Sequence, residues 1–294
     1  MIAAQHLGIP RIPRCLSQIA GVEPSELKFR PSERDMSASN PDFLLKLAET
    51  DEDIQAAQRL RYDVFVAEMG GDGPMVDHDA RLERDKFDPF FDHLMLLDQT
   101  RGDSVADQII GVYRLLRDDQ MPNVGQFYTE GEYDLSVLKN SGRRLLELGR
   151  SCLNAEYRGG TAMYVLWNGL GEYVRDHGIE ILFGTASFHG TDLDALADSL
   201  SILHHRHLAP EELRVRALPQ HYTEMNRKAP DELDRIAAMR AVPALIKGYL
   251  RLGGFVGEGA YIDRDFNTTD VCLVMDTERL SATQQKIYAR GSAQ

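Results

Sequence analysis

A chain of 294 residues with 43% hydrophobic content is long enough to bury a substantial core, as one large domain or two small ones. Its formal net charge of −13 argues against a general nucleic-acid binder, because phosphate neutralisation needs clustered Lys and Arg. Cys15, Cys152 and Cys272 stand far apart without Cys-x-x-Cys spacing, which fits a reducing cytoplasmic setting. No apolar run is long enough to span a bilayer, and Pro10 and Pro13 interrupt the N-terminus where a signal peptide would need an apolar stretch.

Residues 1 to 40 carry Pro10, Pro13, Pro24 and Pro31 and the polar run SERDMSASN. They read as a loosely ordered extension with a short helix around Ile12 to Ala20, or as a tail packed on the domain surface. A single domain is expected over residues 41–294. FLLKLAE, from Phe43, is a short strand, and Thr50-Asp51 caps the next element. DEDIQAAQRLRYDVFVAEMG places Ile54, Ala57, Leu60, Val64 and Ala67 at helical spacing, ended by Gly70-Gly71. A glycine- and acid-rich loop occupies residues 71–92. HLMLLD and QIIGVYRLLR, joined by a polar loop, predict an antiparallel pair. RRLLELGRSCL is a further strand. Past Gly159-Gly160, TAMYVLWNGLGEYVRDHG is an amphipathic helix closed by Gly178, and IEILFGTAS and DLDALADSLSILHHRHL are the next strand and helix. Ala209 to Arg240 is charged and partly helical. VPALIKGYLRLGG is a helix, DVCLVMD a late strand, and a short C-terminal helix comes last. The order predicts an α+β fold around a mixed sheet.

Several groups have residue types suited to chemistry. In LELGRSCLNAEYRGGTA, strand alternation puts Glu147 and Gly149 on one face and Leu146, Leu148 and Arg150 on the other. Glu147 and Arg150 then need not touch, unless a β-bulge intervenes. They are a base and an anion-binding residue, or a strand-end carboxylate and a peripheral arginine. YRGGTA precedes a helix, where backbone N–H groups and the helix N-terminus favour an anion, although a tight turn needs the same glycines.

LERDKFDPFFDHL offers Glu83, Asp85, Asp88 and Asp92, enough carboxylate to hold an amine or a hard metal ion, or to form a solvated loop. Calcium-loop spacing is absent. The run His204 to His207 points round more than half of a helix, so it does not converge on one ion, and no metal site is read. With Arg206, Arg214 and Arg216 it suits a basic surface. His189 lies just past a strand and is a candidate general base. Cys152 reads as a core cysteine.

RYDVF (Arg61 to Phe65), DKFD (Asp85 to Asp88), HLMLLD, GVYRLLR and ELGR (Glu147 to Arg150) resemble, in order, the motifs of acyl-homoserine-lactone synthases. Those are acyltransferases of the GNAT fold that take acyl chains from acyl carrier protein. LELGRSCLNAEYRGG, GIEILFGTASFHGTD, LHHRHLAP, LIKGYLRLGGFVGEGA and DFNTTDVCLVM closely resemble the L-ornithine N-alpha-acyltransferases of ornithine-lipid synthesis, from Phe43 to Met275.

The resemblance implies a GNAT-like mixed β-sheet flanked by helices and transfer of a 3-hydroxyacyl chain from acyl carrier protein to the α-amine of L-ornithine, giving lyso-ornithine lipid. A related branch acylates glutamine. A signal synthase using S-adenosylmethionine and a non-catalytic lipid-binding regulator are the competing readings.

By motif, Glu147 is the implied general base with Arg150 beside it. Arg61, Phe65, Asp85, Asp88 and Arg114 are the implied amino-acid binding residues, with ion-pair scaffolding the alternative reading of Arg61, Arg114 and Arg150. Ser151, Cys152, Arg158, Gly159 and Gly160 are implied to hold the phosphopantetheine of the acyl donor. The turn Arg158-Gly159-Gly160-Thr161-Ala162 is one residue shorter than the Arg-x-x-Gly-x-Gly/Ala with which the GNAT fold usually binds pyrophosphate. That suits a carrier-bound phosphopantetheine as co-substrate, with no tightly bound cofactor and no metal.

Acyl carrier proteins are acidic, so docking calls for a local basic face, for which Arg143-Arg144, Arg158, Lys247 and Arg251 are candidates. Trp167, Leu182, Phe183 and the helix from Ala244 to Leu252 are expected to wall an acyl tunnel. A lipid product implies a second acyltransferase to complete it and peripheral contact with the inner membrane face. The N-terminal segment is either the membrane-contacting piece or an inert tail.

Overall fold

A computed structural model describes residues 40–280. The helix expected at Ile12 to Ala20 and the one expected past residue 280 lie outside the described residues.

Strand β1 (Phe43–Leu47) leads into α1 (Asp51–Arg61), where the Thr50 side chain accepts from the Asp53 backbone N–H at 3.2 Å and closes the N-terminus. Three acids in the first turn and Arg59 and Arg61 in the last complement the helix dipole. The chain then widens into a π-helical turn, Tyr62–Glu68, in which the Met69 N–H reaches back to the Val64 carbonyl. Ala57, Leu60 and Val64 are buried as their spacing predicts. The wider turn holds an extra residue, so Val66 is buried next and Ala67 is exposed.

The remaining strands are β2 (Asp92–Asp98), β3 (Ile109–Arg117), β4 (Tyr133–Asp134), β5 (Leu145–Leu153), β6 (Ile181–His189), β7 (Arg216–Ala217), β8 (Phe255–Val256), β9 (Tyr261–Asp263) and β10 (Thr268–Asp276). The main sheet has the order β1-β2-β3-β5-β6-β10-β8, with β9 also on β10; β4 and β7 form a separate ribbon. Its pairs are antiparallel except β5 with β6, so the sheet is mixed as expected.

Helices α2 (Ala162–Asp176), α3 (Leu193–His207) and α5 (Ala244–Arg251) bury one face against Leu146, Leu148, Leu182, Ala186, Phe188, Val271 and Leu273. A shorter helix, α4 (Arg235–Ala241), accounts for the helical part of the charged stretch before it, which is otherwise irregular. On the opposite face α1 covers Met95, Leu97, Val112 and Cys152. The rest of that face, with Leu145, Ile181, Phe183, Cys272 and Val274, lies under Phe127, Tyr133 of β4, Leu135 and Val215. Successive strand residues alternate faces, which divides the expected acyl wall: Leu182 lies with Trp167 and α5, whereas Phe183 packs edge-on against Phe127 on the other side.

Two irregularities in β5 shape the centre of the sheet. Only Leu145, Leu146 and Glu147 pair with β6, opposite Ile181, Leu182 and Phe183, although β5 continues to Leu153 and β6 to His189. The strands therefore part like a V, leaving a cleft with main-chain edges on both sides. At its apex Gly184 approaches so closely that a Cβ would sit 2.1 Å from the Leu148 carbonyl oxygen, which only glycine permits. On its other edge, β5 pairs Gly149 with Arg114 and Cys152 with Val112, so Arg150 and Ser151 together oppose Tyr113. This is a β-bulge, with Arg150 in the left-handed region at φ 48°.

Candidate active site

The bulge settles the question that alternation leaves open between Glu147 and Arg150. An extra residue in the strand turns Arg150 to the face that also carries Glu147 and Arg114, away from Leu148. There Arg150 Nε donates to Glu83 at 3.0 Å, and its guanidinium lies 5.0 Å from the Tyr128 ring and 5.1 Å from the Phe266 ring. Glu147 meets it indirectly. Its two oxygens accept the backbone N–H groups of Tyr128 at 2.9 Å and Thr129 at 2.6 Å, so the carboxylate fixes the loop that lays Tyr128 against Arg150. Burial raises the Glu147 pKa, and the two N–H donors only partly offset it.

Around Arg150 the motif residues form one ion cluster. Arg61 is fully buried, donating through Nε to Glu83 and through its two terminal nitrogens to Asp88 at 2.7 and 2.9 Å. Arg114 bridges Asp85 and Asp88 at 2.7 and 2.8 Å, beneath the Phe91 ring. Burial alone would raise the pKa values of Asp88 and Glu83; the adjacent arginines reverse this and hold both below the ordinary carboxylate range. Three arginines are matched by Glu83, Asp85 and Asp88, so the acidic loop is neither solvated nor free to bind a metal. Phe65 packs, half-buried, against the apolar cluster under α1.

The expected donor-binding residues lie at the end of β5 and in the turn before α2. Gly159, at φ 77°, and Gly160 lead into α2, whose cap residue Thr161 supplies no side-chain hydrogen bond to the first turn. The first N–H groups of a long helix are thus left without a side-chain cap. Arg158 itself is held by Glu68 at 2.5 and 2.7 Å. Ser151 turns toward Tyr113 on the α2 face. Cys152 is buried, and burial pushes its thiol up to about 12, which leaves almost no thiolate for nucleophilic attack.

A family model described as an acetyltransferase (GNAT) domain matches residues 60–168. An L-ornithine N(alpha)-acyltransferase of Rhodobacter capsulatus is 55% identical over 87% of this chain and 98% of its own length. One from Brucella abortus is 42% identical over 83% of this chain and 88% of its own. The chain belongs to the L-ornithine N(alpha)-acyltransferase family. It is an acyltransferase with a GNAT-like fold. Among solved structures, an N-acyl amino acid synthase from uncultured soil microbes is similar at TM-score 0.45 and 10% identity, covering 84% of this chain and 98% of that one. An acyl-homoserine-lactone synthase is similar at TM-score 0.47 and 13% identity, covering 87% and 98%.

In this family member the site also holds a carboxylate group that sequence reading passed over. Glu132, in the loop after Tyr128, and Asp270 of β10 are buried, with Asp263 of β9 beside them. Asp270 shares strand parity with Cys272 and Val274, a buried acid in step with apolar core residues, and that was the available signal in DVCLVMD. Glu132 gave none, because it sits in irregular chain.

Other expected groups stand apart from the cleft. His205 bonds the Lys228 carbonyl, and among the described residues no His, Cys, Asp and Glu group converges on a metal position. His189 is exposed at the end of β6. Of the basic docking candidates, Arg143 pairs with Asp276 and Arg144 with Asp118 and Asp119. Both precede β5, roughly 25–30 Å of strand from the open end of the cleft. Lys247 bonds the Arg240 carbonyl. Among the described residues no helix is long and apolar enough to cross a membrane.

Proposed function

We propose that this acyltransferase moves a 3-hydroxyacyl chain from the phosphopantetheine thioester of acyl carrier protein to the α-amine of L-ornithine, forming lyso-ornithine lipid. The observation that carries the reading is the parted β5–β6 pair with Arg150 turned by the bulge to the sheet face beside it. It offers main-chain edges for an extended donor arm and a guanidinium for an amino-acid carboxylate on the adjacent face. Family membership supplies the acceptor.

In this scheme the pantetheine arm enters between the strands, its phosphodiester against the start of α2 and Arg158, which exchanges Glu68 for it. Arg150, flanked by Tyr128 and Phe266, holds the acceptor's α-carboxylate. The α-ammonium loses a proton to Glu147 through an intervening water, since main-chain donors already occupy both Glu147 oxygens. The neutral amine attacks the thioester carbonyl; a C–N bond forms, the C–S bond breaks, and the proton leaves with the pantetheine thiol. Main-chain N–H groups of β5 near Ser151 and Cys152 stabilise the oxyanion. A Cys152 thiol at about 12 favours this direct attack over an acyl-cysteine. Arg158, adjacent to the turn at Gly159-Gly160, is the carrier-protein contact in this reading. The singly acylated product calls for a second acyltransferase to complete the lipid and for contact with the inner membrane face.

Expression in a bacterium lacking aminolipids, followed by mass spectrometry of its lipid extract, tests the assignment. A new lyso-ornithine mass supports it; a glutamine-derived mass redirects the acceptor; no new acyl-amino acid overturns it. Glu147→Gln is expected to lower turnover by roughly 10²–10⁴-fold and to remove the acidic limb of the pH–rate profile. A variant with wild-type turnover removes Glu147 from the mechanism, and a slowed variant with an unchanged pH profile makes it a positioning residue only.

A further inference from the structure

The mechanism leaves unused the carboxylates of Glu132, Asp263 and Asp270. Strand parity puts Asp270 and, opposite it on β6, the exposed Ser187 on the face that bears Glu147 and Arg150. Ser187 belongs to the part of β6 that has left β5, so this group borders the cleft. The loop carrying Tyr128 and Glu132 covers it and is tied down where the Tyr133 hydroxyl lies 3.0 Å from the Asp270 carbonyl oxygen.

Glu132 and Asp270 are only 6% and 5% exposed, yet Oε2 of Glu132 and Oδ1 of Asp270 have no hydrogen-bond partner among the described residues. An ionised carboxylate in that state is unfavourable, and native structures supply it with a donor or a cation. The cation that acts on both is Arg150, which Glu83 and Asp85 already share. Burial and the neighbouring acids accordingly hold Asp270 up at about 6 and push Glu132 well above its ordinary range. The three carboxylates do not converge as metal ligands. What the group lacks is one compact, donor-rich positive charge.

We propose that Glu132 and Asp270, with Asp263 beside them, bind the terminal ammonium of the acceptor and so select a basic amino acid over a neutral one. The inference rests on the ornithine reading above and deepens it. An acceptor with its α-carboxylate on Arg150 and its terminal ammonium on Glu132 and Asp270 satisfies every orphaned oxygen with a charge-assisted hydrogen bond. Glutamine, similar in length, leaves two buried carboxylates without a counter-charge, the arrangement from which polar sites derive their strongest discrimination.

The test compares kcat/KM for ornithine with that for norvaline, which has the same carbon chain and no terminal amine, in wild type, Glu132→Gln and Asp270→Asn. Removing one carboxylate is expected to raise KM for ornithine roughly 30-fold and to collapse the ornithine-to-norvaline ratio by a similar factor. Both amides keep the shape of the side chain, and either variant alone suffices if the other does not fold. A wild type specific for ornithine whose variants keep the ratio overturns this inference alone. A wild type that acylates glutamine and not ornithine overturns the ornithine reading and this inference with it.

Discussion

Two groups of buried charge flank Arg150, and they are built on opposite rules. On the α1 side, Arg61, Arg114 and Arg150 meet Glu83, Asp85 and Asp88 in a balanced lattice of short hydrogen bonds, with Asp88 and Glu83 held below their ordinary pKa values. On the β10 side, Glu132, Asp263 and Asp270 crowd together, with orphaned oxygens on Glu132 and Asp270 and raised pKa values for both. The first group is complete without a ligand and works as a scaffold that aims Arg150. The second is incomplete and is the place where an incoming charge gains most. A motif rich in charge is therefore a weaker indicator of a ligand than a buried group left unsatisfied.

The largest effect expected from this contrast comes from opening the balanced group. Arg61→Ala leaves Asp88 buried without its principal counter-charge and Glu83 with Arg150 as its nearest remaining one, and truncating one partner of a buried pair costs about 3–5 kcal/mol. Urea unfolding of the purified variant measures the loss. A change below about 1 kcal/mol would mean that the lattice relaxes or takes in water, and the contrast with the β10 side would then fail.

How much of this arrangement the sequence carried depends on what periodicity encodes. The long elements were legible: β1, the β2–β3 pair, β5, α2, β6, α3, α5 and β10 all have apolar patterns of period two or near four. Arg61, Asp85, Asp88, Arg114 and Arg150 were legible as a set only through ordered motifs, and the structure joins them. Their mutual neutralisation was not, because pairing depends on residues 22 to 67 positions apart meeting in space. The face of Arg150 was unreadable without the bulge, since one inserted residue reverses alternation. The short strands β4, β7, β8 and β9 fall below the length at which a pattern registers, and Glu132 went unnoticed with them. Asp270 alone left a trace, as an acid in step with buried Cys272 and Val274.

An intermediate effect of opposite sign is expected on the incomplete side. Asp270 titrates near 6 in the folded protein against an ordinary value of 3.8, so the folded state binds the extra proton between those limits. Its contribution to stability falls as pH rises through that window and stays low above it. Asp88, lowered by its arginines, behaves the other way: its contribution is present above the unfolded value and is lost as pH falls through the folded one. Asp270→Asn removes the penalty, and at 1.36 kcal/mol per pKa unit the gain at pH 8 is bounded by about 3 kcal/mol, with about 1–3 expected. The gain is smaller at pH 5. Urea unfolding at the two pH values measures it, and a variant less stable than wild type at pH 8 would place Asp270 among the satisfied groups.

The smallest effect belongs to the exposed pair at the donor end, where solvent screens what burial amplifies around Arg150. Arg158 and Glu68 are each about two-fifths exposed, 41% and 43% by side chain, and pairs of that kind contribute roughly 0–1 kcal/mol. Glu68→Gln should therefore leave unfolding nearly unchanged. In the proposed scheme it also removes the anion that competes with an incoming phosphodiester for Arg158, so KM for the acyl donor is expected to fall about two- to five-fold at low salt, with the difference fading as ionic strength rises. A donor KM that rises in the variant would show that Glu68 orients Arg158 for the donor instead of competing with it. The exposed pair would then join the scaffold side of the comparison, and the turn at Gly159-Gly160 would have to bind the phosphodiester chiefly through main-chain N–H groups.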